Sequence, residues 1–406
     1  MFGRGESRMR RTFIAAAAVL GLLAAPAAFA GPEAISIISQ DVLPPVSQQL
    51  PSDSNPGVKA FRLHSERLGQ DFDVVVHLPA AMPFLPGQKI PAIYALDGGL
   101  GLAGQIGLLM GVTGVMEPAY VVDIGYPQGQ AGTRRFVDLT HAKVPQHPAS
   151  GGGAAFEAFL LDDLRPFIES RFAADPHRSV LIGHSLGGLF AAHVFADKPD
   201  AFAGYIIGSA SVWVDPAVVG AVARAASSAQ GERIYLGVSA LEDLDGPGQP
   251  PSMMDGFKQL AAALKDRPGL AFKAQVYAGQ NHASYYPRLA LDAFPFVLPP
   301  ARPLDFRDQP LSDDAVKRYE GVYAAPDGRT VTVRALKGET GTTTRLRVQM
   351  AGHLPLPLME SGKDRFYAKP ADLNATFDGG GLTMTAGDAK LRFEKVKPDP
   401  QHDAAK

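Results

Sequence analysis

A serine flanked by glycines at short spacing is the strongest chemical feature of this chain. The stretch LIGHSLGGLF at 181–190 holds Ser185 in a Gly-x-Ser-x-Gly pattern. In so glycine-rich a chain, the bare pattern arises by chance in about one sequence in five. The flanks are more specific, because an aliphatic segment precedes the serine and a segment of small, apolar residues follows it. A sharp strand-to-helix turn of this kind lifts a serine hydroxyl out of a sheet. Ser185 is therefore the candidate nucleophile.

A serine hydroxyl is a weak nucleophile near neutral pH, so a base must take its proton and an acid must orient that base. Where the chain order is serine, acid, histidine, the base follows the last strand. His282 ends such a segment, LAFKAQVYAGQNH. The acid follows an earlier strand, and the end of YLGVSALEDLD offers Glu242, with Asp243 and Asp245 as alternatives. A Ser–His dyad without an acid is a further alternative.

Two backbone N–H groups are needed to hold the negative charge that develops on an ester carbonyl oxygen. The amide of Leu186, directly after the candidate nucleophile, supplies one of them. The turn LDGG at 96–99 follows an early predicted strand and supplies the other, with Gly99 favoured and Gly98 as the alternative. We interpret Asp97 as a brace for this turn.

Other histidines are given no catalytic role. His184 adjoins the nucleophile and should point away from the oxyanion side, and His193 on the following helix is a packed or surface histidine. His353, in the last part of the chain, has no set of partners. The site calls for neither a metal ion nor an organic cofactor. The absence of cysteine excludes disulfides, a thiol nucleophile and thiolate metal ligands.

The elements that must position these residues alternate between strand and helix patterns over 58–298. Buried-strand segments such as KIPAIYALDGG and RSVLIGHS are separated by amphipathic or small-residue helix patterns. This alternation predicts an α/β fold with a mostly parallel sheet covered by helices on both faces. After a Pro-rich linker at 299–310, short strand segments over 311–397 predict a small antiparallel all-β domain, a barrel or sandwich.

Residues 1–30 have the pattern of a secretory signal peptide. Arginines precede an apolar run that ends in Ala28-Phe29-Ala30, a small-x-small cleavage site. We therefore expect an exported protein, periplasmic rather than extracellular, with no stable membrane span after cleavage. Residues 31–57 are polar and Pro-rich and are expected to form a mobile segment. The formal net charge of −2, without long runs of one sign, argues against nucleic acid as a partner.

Eight segments occur along the chain in the following order: IYALDGG, IGYP, RRFVDLT, FEAFLLDDLRPFIESRF, VLIGHSLGGLF, YIIGSASVWV, YLGVSALE and GQNHASYYP. This order, over about residues 58–298, resembles an esterase family that includes enterochelin (siderophore) esterases, S-formylglutathione hydrolases, feruloyl esterases and mycolyltransferases. The enterochelin-esterase-like branch is the most similar. The resemblance implies an α/β-hydrolase fold and carboxylic-ester hydrolysis, with Ser185 and His282 catalytic and Glu242 at a position that is commonly acidic.

The resemblance also places RRFVDLT (134–140) beside the substrate pocket. Arg134 or Arg135 would contact an anionic or catechol-bearing substrate there, with a solvated loop arginine as the alternative. Trp213 is interpreted as a pocket wall, with core packing as the alternative. The segment YEGVYAAPDGRTVTVRALKG weakly resembles β domains appended to some bacterial serine hydrolases. Such a domain would cap the site, bind substrate or stabilise the fold.

The sequence thus predicts an exported serine carboxylic-ester hydrolase that forms an acyl-enzyme with a small-molecule ester, siderophore-like or other. An acyltransferase that uses the same acyl-enzyme is one alternative. A non-catalytic binding protein that works through its β domain is another.

Overall fold

The structure of the protein is a computed structural model, which describes residues 34–40, 57–79, 83–242, 252–300, 311–337, 344–351 and 353–396. The predicted signal peptide at 1–30 lies outside these ranges. So do Asp243 and Asp245, and all of the predicted linker except its first two residues.

A nine-stranded sheet forms the first and larger part of the fold. Its strands are β1 (Ile35–Gln40), β2 (Val58–Ser65), β3 (Gln70–His77), β4 (Ile90–Ala95), β5 (Tyr120–Gly125), β6 (Ala174–His184), β7 (Gly204–Gly208), β8 (Arg233–Ser239) and β9 (Ala271–Tyr277). They lie in the order β1-β2-β3-β5-β4-β6-β7-β8-β9. Pairing is parallel from β5 through β4 to β9 and antiparallel among β1, β2, β3 and β5. The prediction of a mostly parallel α/β fold is confirmed.

Helices cover both faces of this sheet. They are α1 (Ala103–Thr113), α2 (Ala131–Asp138), α3 (Gly153–Ala158), α4 (Arg165–Arg171), α5 (Leu186–Asp197), α6 (Ala217–Ala226), α7 (Met253–Leu264) and α8 (Tyr286–Val297). A π-helical stretch, Phe159–Leu164, joins α3 to α4. Successive strand residues alternate between two apolar clusters: Tyr94 packs under α3 to α7, and Ile93 packs under α1 and α8. The inner parallel strands β4 to β8 are mostly apolar on both sides because both sides are buried, whereas the edge strand β9 is largely exposed.

A segment expected to be mobile and a Gly- and Pro-rich stretch both contain regular structure. Within 31–57, expected to be mobile, Ile35–Gln40 pairs with β2 as an edge strand. Its backbone finds partners on β2, and burial of Ile35 fixes its register, although most of its side chains are exposed. The Gly- and Pro-rich stretch that follows β5 contains α2, which carries Arg134 and Arg135.

A closed antiparallel barrel forms the second part of the fold. A short helix, α9 (Asp313–Tyr319), precedes it. Its strands are β10 (Gly321–Ala324), β11 (Thr330–Lys337), β12 (Thr344–Met350), β13 (Leu356–Gly362), β14 (Arg365–Ala368), β15 (Leu373–Asp378), β16 (Gly381–Ala386) and β17 (Ala389–Lys395). Pairing of β17 with β10 closes the ring, so the barrel has no free edge. The predicted all-β domain is thus a barrel rather than a sandwich.

The barrel docks at the amino ends of the central strands. Phe84 and Leu85, in the connection that leads into β4, are buried within the apolar cluster of the barrel. The Pro83 carbonyl accepts a hydrogen bond from His353 Nε2 at 3.2 Å, and the Phe84 and His353 rings lie 5.2 Å apart. Ligand sites of α/β sheets lie at the opposite, carboxyl ends of the strands. The described barrel residues therefore do not cap a site at the carboxyl ends of the strands.

Among the described residues, no helix is both long enough and apolar enough to cross a bilayer.

Candidate active site

Ser185 lies in a strained turn between β6 and α5, at the carboxyl end of a central strand. Its φ and ψ are 60° and −118°, backbone angles that residues other than glycine rarely adopt. A Cβ on Gly183 would overlap the Gly187 carbonyl, and one on Gly188 would overlap the Gly208 carbonyl. The glycines are therefore required because the turn brings backbone against backbone. The Ser185 amide donates to the Gly208 carbonyl at 2.9 Å, which fixes the turn to β7.

His282 and Glu242 form the acid–base pair of the site. His282 Nδ1 donates to Glu242 Oε2 at 2.6 Å, and the Glu242 side chain is only 1% exposed. This bond fixes the tautomer, so that Nε2 carries the lone pair with which a base would act. The sequence leaves Glu242, two aspartates and a dyad as possibilities; the structure brings Glu242 to His282.

Ser185 Oγ contacts a second serine hydroxyl, that of Ser211, at 3.4 Å. Ser185 and His282 line the same cavity, but within the described residues they form no hydrogen bond with each other. Such bonds are often long or misaligned before substrate binds.

A buried hydroxyl pair holds Glu242 from behind. Ser209 Oγ donates to Glu242 Oε1, and because a hydroxyl has one proton, the Tyr285 hydroxyl must be the donor in its 2.7 Å contact with Ser209 Oγ. The Ser239 amide also donates to Glu242 Oε1, at 3.2 Å. All three groups are buried, so water does not compete for the carboxylate.

Replacement of Ser209 tests this support. Ser209→Ala removes a hydrogen bond to a charged group, so kcat should fall roughly 10- to 100-fold with KM nearly unchanged. Tyr285→Phe leaves the Ser209–Glu242 bond intact and should lower kcat less. Steady-state kinetics on one ester would separate the two variants. Equal losses in both, or a change confined to KM, would contradict a positioning role for Ser209.

The charge on Glu242 makes a prediction about pH. Burial alone would raise its pKa, but hydrogen bonds from His282, Ser209 and the Ser239 amide outweigh it and lower the pKa to about 2. Because the folded-state pKa lies below the usual value of about 4.3, the ionised group stabilises the fold above that pH by about 3 kcal/mol. This contribution is lost as pH falls toward about 2.

The check is urea unfolding of wild type and Glu242→Gln across that range. The difference between their unfolding free energies should be constant from pH 7 to about 5 and then shrink by about 3 kcal/mol toward pH 2. A difference that stays constant throughout would mean that Glu242 is not held as a low-pKa carboxylate.

His184 holds the loop that carries the base. Its Nε2–H donates to the His282 carbonyl at 2.8 Å, and the two rings lie 4.5 Å apart. Burial, together with the neighbouring His282, lowers the pKa of His184 to about 4, so the ring is neutral near pH 7. His184 also lines the cavity. It is therefore a positioning residue for His282, a role that the sequence did not indicate.

The predicted oxyanion donors lie on two sides of Ser185. Leu186 is the first residue of α5, a position whose N–H has no partner inside a helix. The residues 97–100 form a left-handed turn, with φ between 50° and 65°. Gly98 lines the cavity, whereas Gly99 is buried against Asp123, where a Cβ would overlap the carboxylate. Gly99 thus serves close packing, and the alternative, Gly98, is the glycine at the cavity wall.

The cavity beside Ser185 measures about 590 Å³. Carboxylates on its walls are compensated in pairs. Arg135 donates to both oxygens of Asp97, at 2.6 and 3.0 Å, and His77 Nε2 lies 3.1 Å from Asp123 Oδ2. The Arg135 pair ties α2 to the left-handed turn, so Asp97 does brace this turn, by way of α2. A volume of this size is typical of sites for small organic ligands.

The other two predicted pocket residues lie elsewhere. Arg134 turns toward Asp138, at 3.1 Å, and does not line the cavity formed by the described residues. Adjacent residues of a helix point about 100° apart, which is why Arg135 reaches the cavity and Arg134 does not. Trp213 is 47% exposed, in the connection between β7 and α6. It is neither a wall of this cavity nor a core residue, which differs from both sequence interpretations.

Several contributors had only weak sequence signals. Ser209 and Ser211 follow β7 in GSAS, and Tyr285 follows His282 in NHASYYP. Polar residues at the carboxyl ends of neighbouring parallel strands meet at one edge of the sheet. That rule could have selected Ser209 and Ser211, whereas the role of Tyr285 depends on how α8 folds back against the sheet.

A parallel sheet covered on both faces, with a serine elbow at the carboxyl end of a central strand, defines the class of α/β-hydrolase-like proteins. Within that class the chain belongs to the family described as "Putative esterase", which matches residues 65–293. Membership supports a hydrolase that acts on esters.

Individual relatives cover the same region. The chain is 30% identical over 270 residues to the ferri-bacillibactin esterase BesA of Bacillus subtilis, spanning 61% of this chain and 92% of that protein. It resembles the structure of the BES protein from Bacillus cereus (TM-score 0.53, 26% identity, 60% of this chain and 95% of the other). The siderophore hydrolase EstB from Aspergillus nidulans shares the fold (TM-score 0.51, 23% identity, 60% and 95%).

Proposed function

We propose that this protein is a serine carboxylic-ester hydrolase that works through an acyl-enzyme. The observation that carries the proposal is the convergence of an elbow serine, Ser185, and a histidine–carboxylate pair, His282–Glu242, on one cavity. Neither feature alone defines a reaction, because folds of this class host many functions. Together they supply a nucleophile, a base and a group that orients the base.

The reaction would proceed in two halves. Ser185 Oγ attacks the ester carbonyl carbon while His282 Nε2 takes the hydroxyl proton, and Glu242 stabilises the resulting imidazolium. The Leu186 amide and an amide of the Gly98–Gly99 turn donate to the carbonyl oxygen as it becomes negative. The C–O bond then breaks, and His282 returns its proton to the departing alcohol. Water, activated by His282, releases the acid and regenerates Ser185.

The substrate class we propose is siderophore-like esters. Support comes from the named activity of the Bacillus subtilis relative, which this chain matches over 92% of that protein's length. The cavity is large enough for one arm of such a molecule. Arg135 lies on its wall in a fixed orientation, because both oxygens of Asp97 hold its guanidinium.

We also propose that the protein is exported. The pattern of residues 1–30, arginines followed by an apolar run and a small-x-small cleavage site, supports this. Expression of the full chain in a bacterium, followed by fractionation and mass measurement, tests it. The expected result is a periplasmic product that begins at Gly31. An unprocessed cytoplasmic product would contradict it.

The test of the activity is a substrate panel. Wild type, Ser185→Ala and His282→Ala would be assayed on p-nitrophenyl acetate, a triscatecholate trilactone and a trihydroxamate ester. Wild type should hydrolyse a siderophore ester with a kcat/KM above that for p-nitrophenyl acetate, and both variants should be inactive. Activity on p-nitrophenyl acetate alone would support ester hydrolysis and contradict the proposed siderophore-like substrate. Ester products with an added alcohol would indicate acyl transfer instead.

A further inference from the structure

A second cluster of chemically capable side chains lies away from the cavity. His193 and Asp197 stand one helical turn apart on α5, and His141 reaches them from the connection that follows α2. One ligand atom from each residue lies within 4.8 Å of the others. Spacing of i and i+4 puts two side chains on the same face of a helix, which is a common way to offer two metal ligands.

Three of the four ring nitrogens in this cluster have no hydrogen-bond partner among the described residues. His193 is only 8% exposed, and its Nε2 has no hydrogen-bond partner among the described residues. The same holds for both Nδ1 and Nε2 of His141. Asp215 Oδ2 is 3.2 Å from His193 Nε2, and Glu157 Oε2 is 3.6 Å from His141 Nε2. Both carboxylates are within ion-pair distance, but neither contact has the geometry of a hydrogen bond. Buried nitrogens without partners are costly unless another ligand completes them.

The two rings also lie face to face. They stack with centroids 4.2 Å apart and an interplanar angle of 21°. The lone pair of an imidazole nitrogen lies in the plane of its ring, so one ring must turn out of this stack before both can bind the same ion. A neutral imidazole nitrogen is the form that binds metal ions.

The surroundings favour a cation. Carboxylates of Glu157, Asp197 and Asp215 border the rings, and the Lys198 ammonium lies 3.9 Å from Glu157. Asp197 is exposed, which gives an ion a path from solvent to the buried histidines. A Cβ on Gly153 would come within 2.6 Å of His141 Nδ1, so the glycine leaves this nitrogen room.

We propose that His141, His193 and Asp197 form a binding site for a divalent transition-metal ion of the zinc type. Two imidazoles and a carboxylate are a common zinc ligand set, with water in the fourth position. Ligand atoms in a tetrahedral zinc site lie about 3.4 Å apart, so on binding the ligand atoms, now within 4.8 Å of one another, must draw closer as a ring rotates.

The site would serve structure rather than the ester chemistry. His193 lies eight residues after Ser185 on α5, a rise of about 12 Å along the helix, too far for the metal to touch the reacting carbonyl. The metal would instead clamp α5 to the chain just after α2. Since α2 carries Arg135, which holds the turn beside Ser185 through Asp97, the clamp would steady one wall of the cavity.

The experiment uses the full mature chain, freed of metal by dialysis against a chelator. Zinc chloride is titrated by calorimetry, and the thermal midpoint is recorded with and without zinc. Wild type should bind one zinc ion with a Kd below about 1 µM and gain thermal stability on binding. His193→Gln should weaken binding at least 10-fold and lose the gain. His177→Ala, which removes an exposed histidine at the start of β6, is the matched control and should behave as wild type.

Asp197→Asn provides a second test in case His193→Gln fails to fold, because the Asp197 side chain is exposed and its replacement does not disturb the core. It should fold normally and bind zinc more weakly. Cobalt(II) in place of zinc should give visible absorption bands of tetrahedral intensity in wild type and not in His193→Gln. No stoichiometric binding by wild type, or equal binding by wild type, His193→Gln and Asp197→Asn, would overturn the proposal.

Discussion

Ser185→Ala is expected to lower kcat/KM for ester hydrolysis by more than about 10³-fold. In the proposed mechanism this hydroxyl attacks the ester carbonyl, and its removal leaves only the weaker help of the oxyanion donors and of binding. Far-ultraviolet circular dichroism and the thermal midpoint should stay near those of wild type. Alanine must still adopt the positive φ of the elbow, which the native turn already imposes on serine.

Covalent labelling makes the same point without a turnover assay. Diisopropyl fluorophosphate should add one diisopropylphosphoryl group to wild type and none to Ser185→Ala, as read by intact mass. Ser211→Ala is the matched control, because its hydroxyl lies 3.4 Å from that of Ser185. That variant should still be labelled and should keep activity within about 10-fold. A label on Ser211, or an active Ser185→Ala, would mean that the nucleophile has been misassigned.

The second large effect is expected for Glu242→Gln, which should reduce kcat by roughly 10² to 10⁴-fold. The substitution keeps the shape of the side chain and removes its charge. The imidazolium formed when His282 takes the serine proton then has no counter-charge. The amide can also present N–H toward His282 Nδ1, which would favour the wrong tautomer. Hydrolysis measured under single-turnover conditions isolates this chemical step.

Two comparisons make the Glu242 result specific. Asp163→Asn removes another buried carboxylate, which accepts hydrogen bonds from Arg67 at 2.6 and 2.9 Å and does not contact His282. This variant should lower stability without lowering kcat. Asp243→Asn and Asp245→Asn, the sequence alternatives for the acid, should keep nearly full activity. Full activity in Glu242→Gln together with loss in Asp243→Asn would transfer the role to Asp243.

The elbow and its strands were predictable because their sequence requirements are local. Gly183 and Gly188 are needed where backbone atoms touch, and apolar runs such as that of β6 occur where both faces of a strand are covered. The positions of Glu242 and His282 follow from chain order, since parallel strands deliver their carboxyl ends to one edge. Family membership supports the ester chemistry that this order suggested.

The remaining features depend on contacts between distant parts of the chain. Whether Arg134 or Arg135 faces the cavity is set by the rotation of α2, which a short Gly- and Pro-rich segment does not reveal. The choice between Gly98 and Gly99 depends on Asp123, a residue of another strand that fills the space beside Gly99. His141 and His193 are 52 positions apart in the numbering, and only packing of α5 against the α2 connection unites them.

The docking of the barrel through Phe84 and Leu85 has a consequence for how this protein can be divided. The family match ends at residue 293, before the barrel begins, which suggests a natural place to cut. A fragment cut there would present Phe84 and Leu85, now 2% and 3% exposed, to water. Two adjacent apolar side chains laid bare at the amino edge of the sheet would promote self-association. The α/β part of this chain therefore depends on the barrel to keep Phe84 and Leu85 out of water.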